Sequence, residues 1–354
     1  MPDFNSYLKE LLLSAAQQGA SDLHLSPGHY PTLRIDSRLV PITTKTILDK
    51  ETIEGLVFLL LGDKKEKFLS QKELSFSYTL EQKAHFRVNT YFTKGLVAAT
   101  LRYIPDEVRS LDALNLPQIV KIFTKLSQGL VLVAGPNGHG KTTTLAALID
   151  SINEQRAEKI ITIEDPIEYI LKPDKSIIDQ RELEQDTESA SAALRSIFRQ
   201  DVNIILLGQL RDKDTMAAAI SAAETGHLVF ASIHTNSASQ TIERIVESFP
   251  PDEQTQIRGQ LANTIAGIIS QRLVPRIRGG LIPAVEVMIA TTAIRTQIRD
   301  NRFKQLDLVI DTSYDMGMIS LERSLAELVR KQEITLEKAE FYALNPANLH
   351  SLLK

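Results

Sequence analysis

Residues 129–152 read GLVLVAGPNGHGKTTTLAALIDSI. Within them, Gly135-Pro136-Asn137-Gly138-His139-Gly140-Lys141-Thr142 matches G-x-x-x-x-G-K-[ST]. An apolar run, Leu130–Ala134, precedes it and predicts a strand. Leu145, Leu148, Ile149 and Ile152 follow at i, i+3, i+4 and i+7 and predict a helix opening at Thr142. Strand, glycine-rich turn and helix together make a cradle for phosphate. The glycines let successive N–H groups point inward, and the helix N-terminus adds partial positive charge. Lys141 is expected to meet β- and γ-phosphate oxygens, and Thr142 to ligate Mg2+. The binding stretch runs from Gly135 to Thr143. At His139 the cradle needs only the main chain, so that side chain is expected to point outward, as a tolerated substitution and not a ligand.

Working outward, further apolar runs alternate with helical patterns: KIITIEDP, NIILLGQ and GHLVFASIH. Four to six apolar residues between Gly or polar residues suit strands buried on both faces of a parallel sheet. The predicted fold of this part is therefore α/β. From Gln254 onward the chain is expected to be mostly helical. The N-terminal third reads differently. Phe4, Leu8, Leu11, Leu12 and Ala15 give a helical stripe that Gly19 stops. Short strands are expected between Ser21 and Ile42, a helix over Ile53–Leu61, and three antiparallel strands at Leu74–Tyr78, His85–Phe92 and Leu96–Tyr103. Ile104-Pro105 closes this block, and a linker with a short helix leads to Gln128. The expected division is 1–105, a linker over 106–120, and 121–354.

The 354 residues fit two domains. A hydrophobic share of 43% and a charged share of 24% exclude a mostly disordered or collagen-like chain. With no Cys, there is no disulfide, cysteine nucleophile or zinc-cysteine module. No apolar run is long enough to span a membrane, and the first residues lack the basic region and cleavage site of a signal peptide. A cytoplasmic protein is expected. The formal net charge of −4 argues against nucleic acid as the main partner.

Parallel strands present their C-terminal ends to a ligand. Glu164-Asp165-Pro166-Ile167-Glu168 ends one such strand; its acids either hold or orient water at the phosphates or are solvated turn residues. Gly208-Gln209-Leu210-Arg211-Asp212 ends another. A carboxylate is expected there in a working NTPase. Gln209 has nearly the shape of Glu and can orient water, but it cannot take its proton. Asn203, at the other end of that strand, is expected to be structural. His234 is placed to sense the γ-phosphate. His227, before the strand, is either a packing residue or part of the site.

Four blocks in order, GPNGHGKTTT, ITIEDPIEY, NIILLGQLRD and AAETGHLVFASIHTNSA, resemble the secretion-type ATPases of type II secretion and type IV pili. The resemblance covers essentially the whole chain. QGASDLHLSPGHYPTLRIDSRL, ATTAIRTQIRDNR and the missing zinc module place it nearest the pilus-retraction branch. The resemblance implies a PAS-like α+β N-terminal domain followed by a RecA-like P-loop NTPase domain with a helical C-terminal region. It also implies a homohexamer using ATP and Mg2+. Arg87 and Arg102 match arginines that close on nucleotide, although both also read as sheet-surface residues. Implied partners are an inner-membrane pilus platform protein, through which the chain would be peripheral to that membrane, and a paralogous ATPase. The family has Glu where this chain has Gln209, Asp at Asn203, and usually a small residue at His139. A motor driving retraction and a weakly hydrolysing subunit beside an active paralogue are therefore both open. A nucleic-acid translocase is the weakest reading; Arg272, Arg276 and Arg278 are the nearest basic cluster.

Overall fold

The leucine stripe near the N-terminus forms α1 (Phe4–Gln17), with the Asp3 carboxylate accepting the Ser6 N–H at 3.2 Å as a cap. In this computed structural model, residues 3–35, 38–81, 84–104 and 107–354 are described. The chain forms two compact units. One comprises residues 1–107 with 166–170, the other 108–165 with 171–354. Pro105, where the first block was expected to end, and Asp106, where the linker was expected to start, lie outside the described residues.

The first unit continues with β1 (Asp22–Leu25), β2 (Thr32–Ile35), β3 (Arg38–Pro41), α2 (Lys50–Leu61), α3 (Lys65–Gln71), β4 (Glu73–Leu80), β5 (Ala84–Thr93) and β6 (Leu96–Ile104). Its sheet runs β3-β2-β1-β6-β5-β4, antiparallel throughout. Alternation along the strands separates the two faces. Leu23, Leu33, Phe86, Val88 and Leu101 pack with Leu8, Leu12, Ile53 and Leu56 of the helices in one buried cluster. The other face carries polar residues. Across it the register lines up Arg34, Asp22, Arg102 and Arg87.

The second unit opens with 3-10 turns over Gln118–Lys125. Then come β7 (Gly129–Ala134), α4 (Lys141–Gln155), β8 (Lys159–Glu164), β9 (Ile177–Glu182), α5 (Ala190–Ile197), β10 (Ile204–Leu207), α6 (Lys213–Glu224), β11 (Leu228–Ile233), α7 (Ala238–Glu247) and α8 (Pro251–Thr264). β12 (Ile265–Pro275), β13 (Leu281–Ile289), α9 (Thr292–Arg299), α10 (Lys304–Thr312), α11 (Leu321–Arg330), α12 (Leu336–Tyr342) and α13 (Pro346–Leu353) follow. The sheet order is β13-β12-β7-β11-β10-β8-β9; only β13 is antiparallel to its neighbour. Ile161, Ile205 and Val229 face Met216, Ile220, Ile242 and Leu261 on one side. α4 packs on the other, against β7 and β11. Each such aliphatic side chain contributes about 1.5–3 kcal/mol on burial.

Two features were not expected. The region after Gln254 is mostly helical, as expected, but α8 runs directly into a long hairpin, β12–β13. Its turn uses Gly279 and Gly280, at φ +87° and +76°. In addition, β9 extends the sheet beside β8, where no strand was expected.

Candidate nucleotide-binding site

The fold brings the C-terminal ends of β7, β11, β10 and β8 to one edge of the sheet, in that order. After β7 the chain curls through Gly135, Gly138 and Gly140, all at positive φ. At Gly135 a Cβ would lie 2.6 Å from the Gln271 carbonyl oxygen, so only glycine fits there. Gly140 is the N-cap of α4 and offers no side chain of its own to the first-turn N–H groups. That end of the helix is suited to an anion.

Lys141 is 7% exposed, at the centre of this curl. Its ammonium donates to the Pro136 carbonyl at 2.8 Å and lies 3.0 Å from His234 Nδ1. An ammonium can only donate, so His234 Nδ1 is the acceptor and the ring is neutral. Burial first, and the Lys141 charge second, hold the His234 pKa below its ordinary value; a hydrogen bond to the Gly135 backbone acts in the opposite sense. His234 is also held from behind, by Arg244 donating to its carbonyl at 3.1 Å. The lysine of the phosphate loop and the histidine of the neighbouring strand thus meet.

Gln209 follows β10. Its Oε1 accepts from Arg211 Nε at 2.7 Å, and Arg211 NH1 donates to Asp165 Oδ2 at 2.7 Å. Arg211 was not singled out in the sequence, yet it ties the ends of β8 and β10 together. Glu164, 5% exposed, accepts from the Thr162 hydroxyl at 2.7 Å and from Gln180 Nε2 at 3.1 Å. Thr162 and Glu164 share a face of β8 with each other and not with Ile163, which puts them on the side covered by α4. At ~4.8 Å per strand, β10 stands about 10 Å and β8 about 14 Å from β7.

The expectation for His139 is overturned. Its ring does not point outward: Nδ1 accepts the Leu273 N–H at 2.9 Å, and the ring lies edge-on to Tyr342. Gln271 of β12 was not singled out in the sequence. Gln271 Nε2 donates to the His139 carbonyl at 2.6 Å, and its Oε1 accepts from the Thr144 hydroxyl at 2.9 Å. Arg272, buried, donates to the Asn236 carbonyl and side-chain oxygens at 3.0 and 2.9 Å, while Arg276 pairs with Glu333 at 2.6 Å. Two arginines of the basic cluster, Arg272 and Arg276, are thus committed inside the chain.

At the opposite sheet edge the polar residues are structural. Asn203 Oδ1 accepts the Lys159 N–H at 2.8 Å. His227 Nδ1 bonds the Ala222 carbonyl at 3.0 Å, and its ring packs edge-on against Phe198. In the first unit, Arg102 Nε donates to Asp22 Oδ1 at 3.0 Å, and Arg87 NH1 to Glu168 Oε1 at 3.2 Å. Asp22 is buried, and Arg102 keeps most of its guanidinium exposed.

The site fits a magnesium nucleotide. Glycine positions that a Cβ would fill shape the loop, and a buried lysine stands inside it. Mg2+ is ordinarily held by one or two protein oxygens together with the phosphates, so no preformed cluster is needed.

Residues 3–302 match the family model described as type II/IV secretion system protein. The chain belongs to this family. It is 41% identical to the type IV pilus retractation ATPase PilT of Pseudomonas aeruginosa, over 96% of this chain and 99% of that one. It is 33% identical to the type IV pilus ATPase PilU of the same organism, over 98% and 91%. Among solved structures, the pilus retraction motor PilT with bound ADP superposes with a TM-score of 0.91 at 40% identity, covering 97% of this chain and 98% of that one. The family's mixed architecture, an antiparallel N-terminal sheet and a parallel-rich sheet with helices, is the one seen here. Among the described residues, no helix is long and apolar enough to cross a membrane.

Proposed function

We propose that this chain is the ATP-hydrolysing motor subunit of a type IV pilus retraction machine. It would act as a homohexamer, peripheral to the inner membrane through a pilus platform protein. Residues 1–105 form its PAS-like module, 106–120 the linker and 121–354 the ATPase. The observation that carries this reading is the Lys141–His234 contact inside the glycine curl, in a chain so similar to PilT over its whole length.

In this reading the main chain of residues 135–143 surrounds the phosphates, and Lys141 exchanges its Pro136 contact for phosphate oxygens. Thr142 would hold Mg2+, which would supply positive charge to the phosphates. His234, neutral and hinged on Lys141, reports the γ-phosphate to β11. Gln209 orients the attacking water, and Glu164 receives its proton. Arg87 and Arg102 supply positive charge to a neighbouring subunit's nucleotide.

A second reading is favoured by one observation: Gln209 is an amide that Arg211 already engages. In it the chain hydrolyses slowly and works beside an active paralogue; Pseudomonas aeruginosa itself holds both PilT and PilU among the relatives. Steady-state phosphate release separates the two. A motor turns over well above a Lys141→Ala control. Wild-type release at the control level removes the motor reading. A gain of about 10²-fold or more in Gln209→Glu, the size of a restored general base, then supports the second.

A further inference from the structure

The last parallel pair between β12 and β7 is Ser270 with Ala134. β12 continues to Pro275, so residues 271–275 overhang the point where β7 turns into the phosphate loop. On that side of the overhang there is no longer a strand to receive backbone hydrogen bonds, and the loop receives them instead. The Leu273 N–H donates to His139 Nδ1 at 2.9 Å. Because a backbone N–H can only donate, Nδ1 carries no hydrogen and the ring is neutral. The charged groups around it agree: burial, then Arg272 and Lys141, hold the His139 pKa below its ordinary value. Tyr342 of α12 lies edge-on to the ring.

Gln271 meets the loop and the helix that follows it at three places. Its amide nitrogen donates to the His139 carbonyl at 2.6 Å, and its amide oxygen accepts from Thr144 in α4 at 2.9 Å. Its own carbonyl oxygen lies 2.6 Å from where a Cβ on Gly135 would stand, at the loop's first residue. The side chain is 2% exposed. Start, end and following helix of the loop are thus all referred to one residue of β12.

We propose that His139 and Gln271 are positioning residues, which hold the phosphate loop in its binding curl against the β12 overhang before nucleotide arrives. The proposal rests on the loop binding ATP, as argued above. A loop fixed in advance spends less of its binding energy on ordering. Loss of the clasp should therefore weaken binding and leave the chemical step largely alone.

The test compares His139→Ser, which removes the acceptor, with His139→Asn, which returns an oxygen acceptor at the δ position, and with Gln271→Met. The readouts are deuterium exchange at the Leu273 amide, the Kd for fluorescent ADP, and KM and kcat for ATP. In His139→Ser, Leu273 exchange should accelerate, and Kd and KM should rise about five- to tenfold, the size of one neutral hydrogen bond. The change in kcat should stay below about threefold. His139→Asn should restore both exchange protection and KM. Gln271→Met should raise KM at least as much as His139→Ser. Two results overturn the proposal: wild-type affinity and Leu273 protection in His139→Ser, or equal impairment in His139→Asn, which would assign the effect to ring bulk. Failure of the unaltered chain to bind nucleotide would instead overturn the function beneath it, and the positioning role with it, whatever Leu273 shows.

Discussion

The two ends of β11 each carry a histidine, and the contrast between them separates scaffold from site. His227 enters the strand bonded to a backbone carbonyl of the preceding helix and packed edge-on against Phe198. Its neighbour Asn203 likewise bonds backbone. His234 leaves the strand against a lysine ammonium. Beside it, Gln209, Arg211 and Asp165 lean on one another, and Glu164 on Thr162 and Gln180. Backbone partners of a folded sheet cannot be exchanged without unfolding. Side-chain partners can be exchanged for a phosphate or a water. The C-terminal edge is therefore where a ligand can act.

Substituting each histidine in turn breaks or sharpens this contrast. His234→Ala should lower turnover by about 10²-fold, at the lower end of what a positioned catalytic group contributes, with little change in stability. His227→Ala should do the reverse: turnover within about twofold of wild type, and a stability loss of about 1–2 kcal/mol by denaturant titration. If both variants behaved alike, the distinction between the two edges would be lost.

A smaller effect is expected behind the site. Glu286 of β13 accepts the Ala238 N–H at 2.5 Å, at the start of the helix that follows His234. Burial pushes its carboxyl up to about 8, with Asp307, Glu322 and Asp311 adding repulsion. A folded value above the ordinary 4.5 means the neutral form is favoured in the folded chain. That stability is fully present below about pH 4.5 and is lost as pH rises through about 8. Glu286→Gln should therefore gain in Tm over wild type between pH 6 and pH 9, by about 2 °C or more at the upper end. A difference independent of pH would place the charge elsewhere.

How much was legible follows from the same physics. The phosphate loop was readable because its motif residues answer local demands: glycine for positive φ, and, in the proposed function, lysine and threonine for the phosphate and metal. β7, β8, β10 and β11 were readable because burial on both faces makes apolar runs. β12 was not. Ser270, Gln271 and Arg272 interrupt its apolar pattern, all three buried, and no Gly or Pro separates it from α8. Those polar residues are there to clasp the loop and hold Asn236, so the pattern fails where the strand serves the site. The alternation of LIPAVEVMI after Gly279-Gly280 was the available hairpin signal. β9 is an edge strand with exposed Ile177, too weakly patterned to announce itself. The inward turn of His139 depended on β12 and was invisible without it.

Equilibrium binding of fluorescent ADP with Mg2+, to the unaltered chain and to Lys141→Ala, tests most directly whether this sheet edge holds a nucleotide. Saturable binding by the unaltered chain, weakened at least about tenfold in Lys141→Ala, is the expected result. Equal affinity in both proteins, or none in either, would contradict it.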